Sequence, residues 1–427
     1  MRLLFTIAIT LFSLCIAAAS AGSLDKMERA PAAWRGPVFK PNYRFPAKFE
    51  TIPEPWAAIS FRQEPERYLR TLLHYALEGQ DRIHWRLQNN TLRNWYHVPW
   101  LGPGANGREF IHGLTRAPDL QPGTLNPSQT ACRQNWALAF YNQSGGAVLG
   151  RIWGHGNRDP DLGALPFPPA TVAVKLVFTS ASASDDPGLT GAPELVANIH
   201  AEARTNQNEC TPAIRPNGKP AARRPQTLRL IQFDIAVREQ RASYKTGWVF
   251  GSFRYDGNIP GANAWDKLVP MGLMWGNDPA VSDAGEKPRQ SIVFKGYETL
   301  GRNGRMNGIV DDRASACSSC HMAAQWPTVA PMSAPVPWSE ARCWFRNLDA
   351  RYPFGFPPGQ KSGCGDPSAL EELSALDFSL QLTIALRNWS LEKLKHRTTA
   401  RTKLGSLKRL GNGTLTVNGL SVVPLRQ

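Results

Sequence analysis

Residues 171–178 of the chain are TVAVKLVF, a run in which apolar side chains alternate with a period of two. In an extended strand, successive side chains point to opposite faces. One face would carry the apolar side chains of Val172, Val174, Leu176 and Phe178. The other would carry Lys175, together with Thr171, Ala173 and Val177. That second face normally meets solvent, and it becomes functionally important only if it lines a cofactor pocket.

The same period recurs between residues 132 and 254. The other runs are CRQNWALAFYN (132–142), GAVLGRIWG (146–154), TLRLIQFDIAVR (227–238) and TGWVFGSFRYD (246–256). They are rich in β-branched and aromatic residues and are separated by Gly, Pro, Asn and Asp, which favours strands. NQSGG predicts a hairpin turn between the first two runs. Because no helical crossover separates most of the runs, we expect an antiparallel sheet, curved or closed on itself, with a long polar insertion over residues 181–224.

Helical patterns flank this region. EPERYLRTLLHYALEG (64–79) predicts a helix, because Pro65 suits a first turn and Gly79 ends the apolar stripe. Residues 338–351 and 370–397 predict two more helices. The sequence therefore predicts an α+β fold with an antiparallel β-sheet core, peripheral helices and a helical C-terminal region. The expected divisions are an extended arm (22–60), a β-rich domain with an N-terminal helix (61–300), a segment with C-terminal helices (301–396) and a basic tail (397–427).

The motif with the clearest chemistry is ACSSCHMAAQWP, residues 316–327, which contains Cys317, Cys320 and His321 in the order C-x-x-C-H. This is the attachment signature of a c-type haem. Two thiols on one helical turn can each add to a haem vinyl group, and the next histidine can then bind the iron as proximal ligand. Asp311 or Asp312 could cap the helix that carries the motif. We therefore expect one covalent haem c in the C-terminal region.

Two alternatives explain the same motif without haem. Cys317 and Cys320 could form a disulfide, or they could be half of a zinc site. No second C-x-x-C and no H-x-x-x-H completes a zinc site in the sequence. Haem attachment is therefore the favoured interpretation.

The N-terminus predicts export. Arg2 precedes the apolar run 3–19, and Ala19-Ser20-Ala21 resembles a signal-peptidase site, so residues 1–21 are expected to be a cleaved signal peptide. An uncleaved membrane anchor is the alternative, because the run approaches the length of a span. No later apolar run is long enough to cross a bilayer. Since bacteria attach haem c outside the cytoplasm, we expect a periplasmic protein with no integral span after cleavage.

Four cysteines remain once the signal peptide and the haem motif are set aside. An oxidising compartment favours disulfides. We expect Cys343 to pair with Cys364, which lies in the same Pro/Gly-rich stretch, and Cys132 to pair with Cys210 by elimination. Free buried thiols are the alternative.

The formal net charge of the chain is +15. Export makes nucleic acid an improbable partner. Near the C-terminus, Glu392 stands alone among nine basic residues: Arg387, Lys393, Lys395, Arg397, Arg401, Lys403, Lys408, Arg409 and Arg426. Such a surface could steer an acidic redox partner protein, although a solvated tail explains the charge equally well.

The sequence does not determine the sixth ligand of the haem iron. After His321 the only methionines are Met322, which adjoins the proximal ligand and cannot reach the opposite face of the haem, and Met332, which is flanked by prolines. The distal ligand is therefore Met332, a residue from upstream, or nothing.

Three pieces of the sequence carry a resemblance: FPPATVAVK (167–175), GWVFGSFRYDG (247–257) and the late C-x-x-C-H. Together they resemble the β-sheet monohaem cytochromes that oxidise hydroxylamine and their gas-binding relative, the β form of cytochrome c prime. The resemblance covers about 150 of the 427 residues of the chain. It implies a sheet packed on the haem, often an open distal site and, in the hydroxylamine oxidisers, a lysine cross-linked to the porphyrin. Lys175 is the position to test for that cross-link.

Two functions follow as expectations. The first is electron transfer in the periplasm by a six-coordinate haem c. The second is a haem enzyme or gas-binding protein with an open distal site, which would take nitric oxide, hydroxylamine or peroxide.

Overall fold

A computed structural model describes the chain over residues 25–102, 107–154, 159–200, 204–206, 209–211, 221–242, 245–328, 334, 341–351, 373–401, 415–417 and 420–422. The signal-peptide prediction, Met332 and Cys364 lie outside these residues. In the described parts, no helix combines the length and the apolar character that crossing a bilayer requires.

The centre of the molecule is a nine-stranded antiparallel sheet, which confirms the predicted α+β class. Its strands are β1 (Trp95–Tyr96), β2 (Thr115–Leu120), β3 (Arg133–Asn142), β4 (Val172–Thr179), β5 (Glu194–His200), β8 (Arg223–Arg238), β9 (Trp248–Tyr255), β10 (Leu268–Met274) and β11 (Ser291–Val293). The main path across the sheet is β1-β3-β4-β8-β9-β10-β11, while β2 pairs with β3 and β5 pairs with β8.

Three two-stranded sheets accompany the main one. They are formed by β6 (Arg204–Asn206) with β7 (Glu209–Thr211), β12 (Gln325–Trp326) with β13 (Ser374–Ala375), and β14 (Leu415–Val417) with β15 (Leu420–Val422). The helices that the structure describes in full are α1 (Pro65–Leu77), α2 (Gln143–Trp153), α3 (Cys317–Met322) and α4 (Leu380–Arg401).

The two faces of the sheet differ as the alternation in β4 predicts. Val174 in β4 is paired with Ile235 in β8, and both are buried on the face that α1 covers. Leu69 of α1 lies so close to Gly251 of β9 that a Cβ atom there would clash with it. The close approach of helix and sheet therefore explains the glycine.

The prediction of a strand over residues 146–154 is wrong, because this segment forms α2. Asn142 ends β3 and caps the helix, its side-chain oxygen accepting from the Gly145 N–H at 3.3 Å. Gly146 lies against the ring of Tyr96, so a side chain at this position would clash. The predicted hairpin turn is therefore the first turn of a helix packed closely on its neighbours.

Three further expectations need correction. The polar insertion over residues 181–224 contains β5, which extends the main sheet. In the described residues 341–351 of the helix expected over 338–351, Ala341 is α-helical, a single 3-10 turn follows at Arg342–Trp344, and the rest is not helical. The helix expected over 370–397 is α4, which begins only at Leu380.

The described part of the N-terminal arm, residues 25–60, contains no helix or strand and is anchored by buried polar contacts. Arg108 Nε donates to Asp25 Oδ2 at 2.9 Å, and the Arg108 side chain is completely buried. Tyr43 donates a short hydrogen bond to the same carboxylate. An ion pair removed from water in this way costs desolvation energy, which the additional hydrogen bonds offset.

Disulfide bonding matches the expectation where it is described. Cys132 and Cys210 are bonded, which ties the start of β3 to β7. Cys343 is also disulfide-bonded. Its pairing with Cys364 stays a prediction.

Candidate haem-attachment site

The C-x-x-C-H residues occupy the short helix α3. Its start is fixed by Ser319, whose hydroxyl accepts from the Ala316 N–H at 3.0 Å. Asp311 and Asp312 do not cap this helix. The Asp311 carboxylate accepts from the side chain of Gln232 in β8, and that of Asp312 accepts from the Ala314 N–H at 2.9 Å. The helix is therefore capped from within its own first turn.

Two buried methionines accept hydrogen bonds from the backbone of α3. Met274 at the end of β10 accepts from the Ser318 N–H through its sulfur at 3.3 Å. The backbone carbonyl of Met306 accepts from the Cys317 N–H at 3.1 Å. Both methionine side chains are fully buried. Their contacts place these residues in the packing beneath the helix.

Cys317 and Cys320 are free and partly exposed. Burial is nevertheless the largest influence on both thiols: it raises the pKa of Cys320 to about 12 and that of Cys317 well above its usual value. In the described part of the chain, no cluster of three His, Cys, Asp or Glu side chains could hold a metal ion, which gives the zinc alternative no support there.

His321 lies beside the thiols and has a fixed orientation. Its Nδ1 is 2.8 Å from the carbonyl oxygen of Phe378. Because a carbonyl can only accept, Nδ1 carries the hydrogen and Nε2 is left with its lone pair. The Phe250 ring packs against the imidazole with a centroid distance of 4.8 Å. Burial holds the pKa of His321 below its usual value, which favours the neutral form that binds a metal.

Small side chains line the sheet face that α3 approaches. Strand pairing places Ala173 of β4 beside Ala236 of β8, and Phe250 of β9 follows next across the sheet. Ala139 of β3 lies opposite Lys175 on the same face. Both Ala173 and Ala236 are partly exposed although they lie in the middle of the sheet. Alanines at these positions leave space that larger side chains would fill.

Charged groups lie on the same face, next to the alanines. Lys175 Nζ is 3.0 Å from Asp234 Oδ2 and 3.6 Å from Asp311 Oδ1. Ser252 donates to Asp234 at 2.6 Å, and Gln232 donates to Asp311 at 2.9 Å. We call these five residues the charged cluster.

The charged cluster is electrostatically coupled to the haem motif. Burial opposes protonation of Lys175, but Asp311 and Asp234 together raise its pKa above the usual value. The lysine charge in turn lowers the pKa of Cys320, against the raising effects of burial and Asp311. The structure therefore brings Lys175, singled out by the strand alternation, close to the C-x-x-C-H helix.

Sequence reasoning missed most of the supporting residues. Asp234, Ser252 and Phe378 carry no motif of their own. The strand period could have placed Asp234 and Ser252 on the lysine face had the strand register been known. Phe378 could not have been found, because it acts through its backbone.

Comparisons with protein-family models, with curated proteins and with solved structures gave no match. The resemblance to the β-sheet cytochromes therefore stays an interpretation of the sequence.

Proposed function

We propose that the chain is an exported, periplasmic c-type cytochrome that binds one haem covalently through Cys317 and Cys320, with His321 as the proximal iron ligand. The observation that carries the proposal is the hydrogen bond from His321 Nδ1 to the Phe378 carbonyl. Iron-binding histidines usually donate their second ring N–H to such an acceptor, which fixes the tautomer and raises the basicity of the ligating nitrogen. When bound, the haem supplies one-electron and small-molecule chemistry.

The surroundings of the motif fit a flat, mostly apolar group. The Phe250 ring packs against His321, and the partly exposed Ala236 and Ala173 follow it across the same face of the sheet. A solid protein core would place larger side chains at such positions.

Of the two functional classes, we favour an iron open to small molecules, with the charged cluster on its ligand-binding side. The polarity and hydrogen-bond donors of the distal pocket decide between ligand activation and simple electron transfer. The charged cluster puts an ammonium group, two carboxylates and a hydroxyl next to the haem motif. We therefore favour a haem enzyme or gas-binding protein that exchanges electrons with a partner protein.

A pure electron carrier is the second candidate. The net charge of +15 favours it, because a basic surface steers encounters with an acidic redox partner. In this case an axial ligand such as Met332 would fill the sixth position.

Lys175 does not need to be cross-linked for either function. An amine must lose its proton before it can attack a porphyrin carbon, and the pair of carboxylates favours the ammonium form of Lys175. We propose that Lys175 acts as a fixed positive charge in the pocket. Mass spectrometry of the haem peptide tests this, because a cross-link would join the peptide containing Lys175 to that containing Cys317.

The double substitution Cys317→Ala and Cys320→Ala should abolish haem that survives denaturing electrophoresis. The matched control is Cys132→Ala with Cys210→Ala, which also removes two cysteines but leaves the haem motif intact and should keep the haem stain. Covalent haem in the first variant would refute the proposed attachment.

Absorption spectra with and without carbon monoxide separate the two functional classes. An open site predicts a high-spin reduced protein whose spectrum changes as soon as carbon monoxide is added. A low-spin reduced protein that ignores carbon monoxide would favour the electron carrier instead.

A further inference from the structure

The turn that contacts His321 has an unusual backbone. Asp377 and Phe378, which connect β13 to α4, both have positive φ angles, 46° and 63°. Aspartate tolerates this left-handed region better than most residues, but a bulky aromatic residue rarely adopts it. Two such residues in succession persist only where the surroundings hold them, and such sites often have a functional role.

The Asp377 carboxylate holds this turn. The side chain is 1% exposed. Oδ2 accepts from the Phe167 N–H at 2.7 Å, and Oδ1 accepts from Trp248 Nε1 at 2.9 Å. Arg238 Nε lies 4.0 Å away and balances part of the charge. The carboxylate thus ties the turn to the start of β9 and to the segment before β4.

The contacts of the neighbouring residues attach the same turn to α3 and to β3. The Leu376 N–H donates to the carbonyl of Ala324 at 3.1 Å, just after α3. Ser379 is 2.8 Å from Tyr141 of β3 through their hydroxyl oxygens. Between these anchors, the Phe378 carbonyl faces His321 Nδ1. Its direction is determined by the left-handed backbone of Asp377 and Phe378, which leads into it.

We propose that Asp377 is a positioning residue for the proximal histidine. Its carboxylate holds the turn at residues 376–379 in the conformation that aims the Phe378 carbonyl at His321 Nδ1. In this way it sets how strongly the imidazole donates electron density to the haem iron. The inference rests on the proposed haem attachment and assigns a role to a residue outside the C-x-x-C-H motif.

The experiment compares the haem-loaded wild-type protein with Asp377→Ala. Without its anchor the turn relaxes, the hydrogen bond to His321 weakens and the imidazole becomes a poorer donor. A poorer donor stabilises ferric iron less, so the reduction potential should rise. A tenfold change in the reduction equilibrium corresponds to about 59 mV for a one-electron couple.

Asp185→Ala is the matched control. Asp185 is also buried, at 4% exposure, and also accepts from a backbone N–H and from a side chain, those of Ser182 and Arg133. Both alanine variants should therefore lose thermal stability. Only Asp377→Ala should raise the reduction potential.

Asp377→Asn and Trp248→Phe keep the test valid if Asp377→Ala does not fold. Asparagine retains one acceptor oxygen and tolerates the left-handed backbone, and phenylalanine removes only one of the two donors. Both variants should shift the potential upward by less than Asp377→Ala. Equal potentials in the wild type and the Asp377 variants, or an equal shift in Asp185→Ala, would overturn the inference. A wild-type protein without covalent haem would instead refute the proposed function itself.

Discussion

Asp377 also makes a pH-dependent contribution to stability. Burial raises its pKa from 3.8 to about 6, against the lowering effects of Arg238 and two hydrogen bonds. Between these two values, the folded protein binds a proton that the unfolded chain has released. Stability from this group therefore falls as the pH rises through that interval.

The substitution Asp377→Asn removes this titration. At about 1.4 kcal/mol per pKa unit, the full effect is about 3 kcal/mol. The unfolding free energy of the wild type, relative to that of Asp377→Asn, should fall by this amount between about pH 4 and pH 7. Urea unfolding at matched haem content measures it. Asp161→Asn, at an exposed capping position, is the control. A constant difference for Asp377→Asn would contradict the prediction.

At the residue scale, the C-x-x-C-H spacing predicts haem attachment but not the contacts that would support it. Cys317, Cys320 and His321 are adjacent in the chain, so their spacing alone predicts their role. The acceptor for His321 lies 57 residues away and is a backbone carbonyl, which no side-chain pattern can mark. The partners of Lys175 come from β8 and from the loop before α3, and they meet it only through tertiary structure.

The sheet face at β4 and β8 gives a prediction at the scale of elements. Ala173→Leu would place a large side chain on the alanine face that we propose borders the haem. We expect less covalent haem per protein with little change in the stability of the haem-free fraction, because Ala173 is partly exposed rather than enclosed in a packed core. Haem staining and thermal unfolding measure the two effects.

Ala76→Leu in α1 is the matched control. Ala76 is fully buried against the opposite face, where overpacking typically costs about 1–3 kcal/mol. This variant should lose stability and keep its haem content. Normal haem content in Ala173→Leu would show that the alanine face does not border the haem.

The arm is a second element whose attachment can be tested. Arg108→Met leaves the Asp25 carboxylate buried without its cation, and breaking one side of a buried ion pair costs about 3–5 kcal/mol. Arg116→Met removes a partly exposed pair with Asp119 and should cost about 0–1 kcal/mol. Chemical unfolding compares the two, and equal losses would contradict the anchoring role of Arg108.

Strands and helices were predicted correctly where the apolar period was unambiguous. The prediction failed where tertiary packing determined the secondary structure. The alternation in β4, β8 and β9 matches the strands in the structure. The segment 146–154 contains small and apolar residues that fit either period, and the Asn142 cap together with close contact to Tyr96 makes it helical. β5 was hidden in a polar insertion because one of its faces is partly exposed.

At the scale of the whole molecule, net charge follows directly from the amino-acid composition. A charge of +15 creates a positive potential that extends over about one Debye length, roughly 30 Å at 0.01 M salt and 3 Å at 1 M salt. Electron exchange with a negatively charged partner should be steered by this potential, and added salt should remove the steering.

The positive potential should also govern electron exchange with small charged reagents. Oxidation of the reduced haem protein by a small anionic iron complex should slow by about tenfold or more between low and high salt. Oxidation by a cationic cobalt complex should accelerate over the same range, because salt then screens a repulsion. Stopped-flow absorption at the haem band measures both rates. If the two reagents respond to salt alike, the positive charge lies too far from the route of electron transfer to steer a partner. The basic residues would then serve only to solvate the surface, and the acidic-partner hypothesis would fail while haem attachment stands.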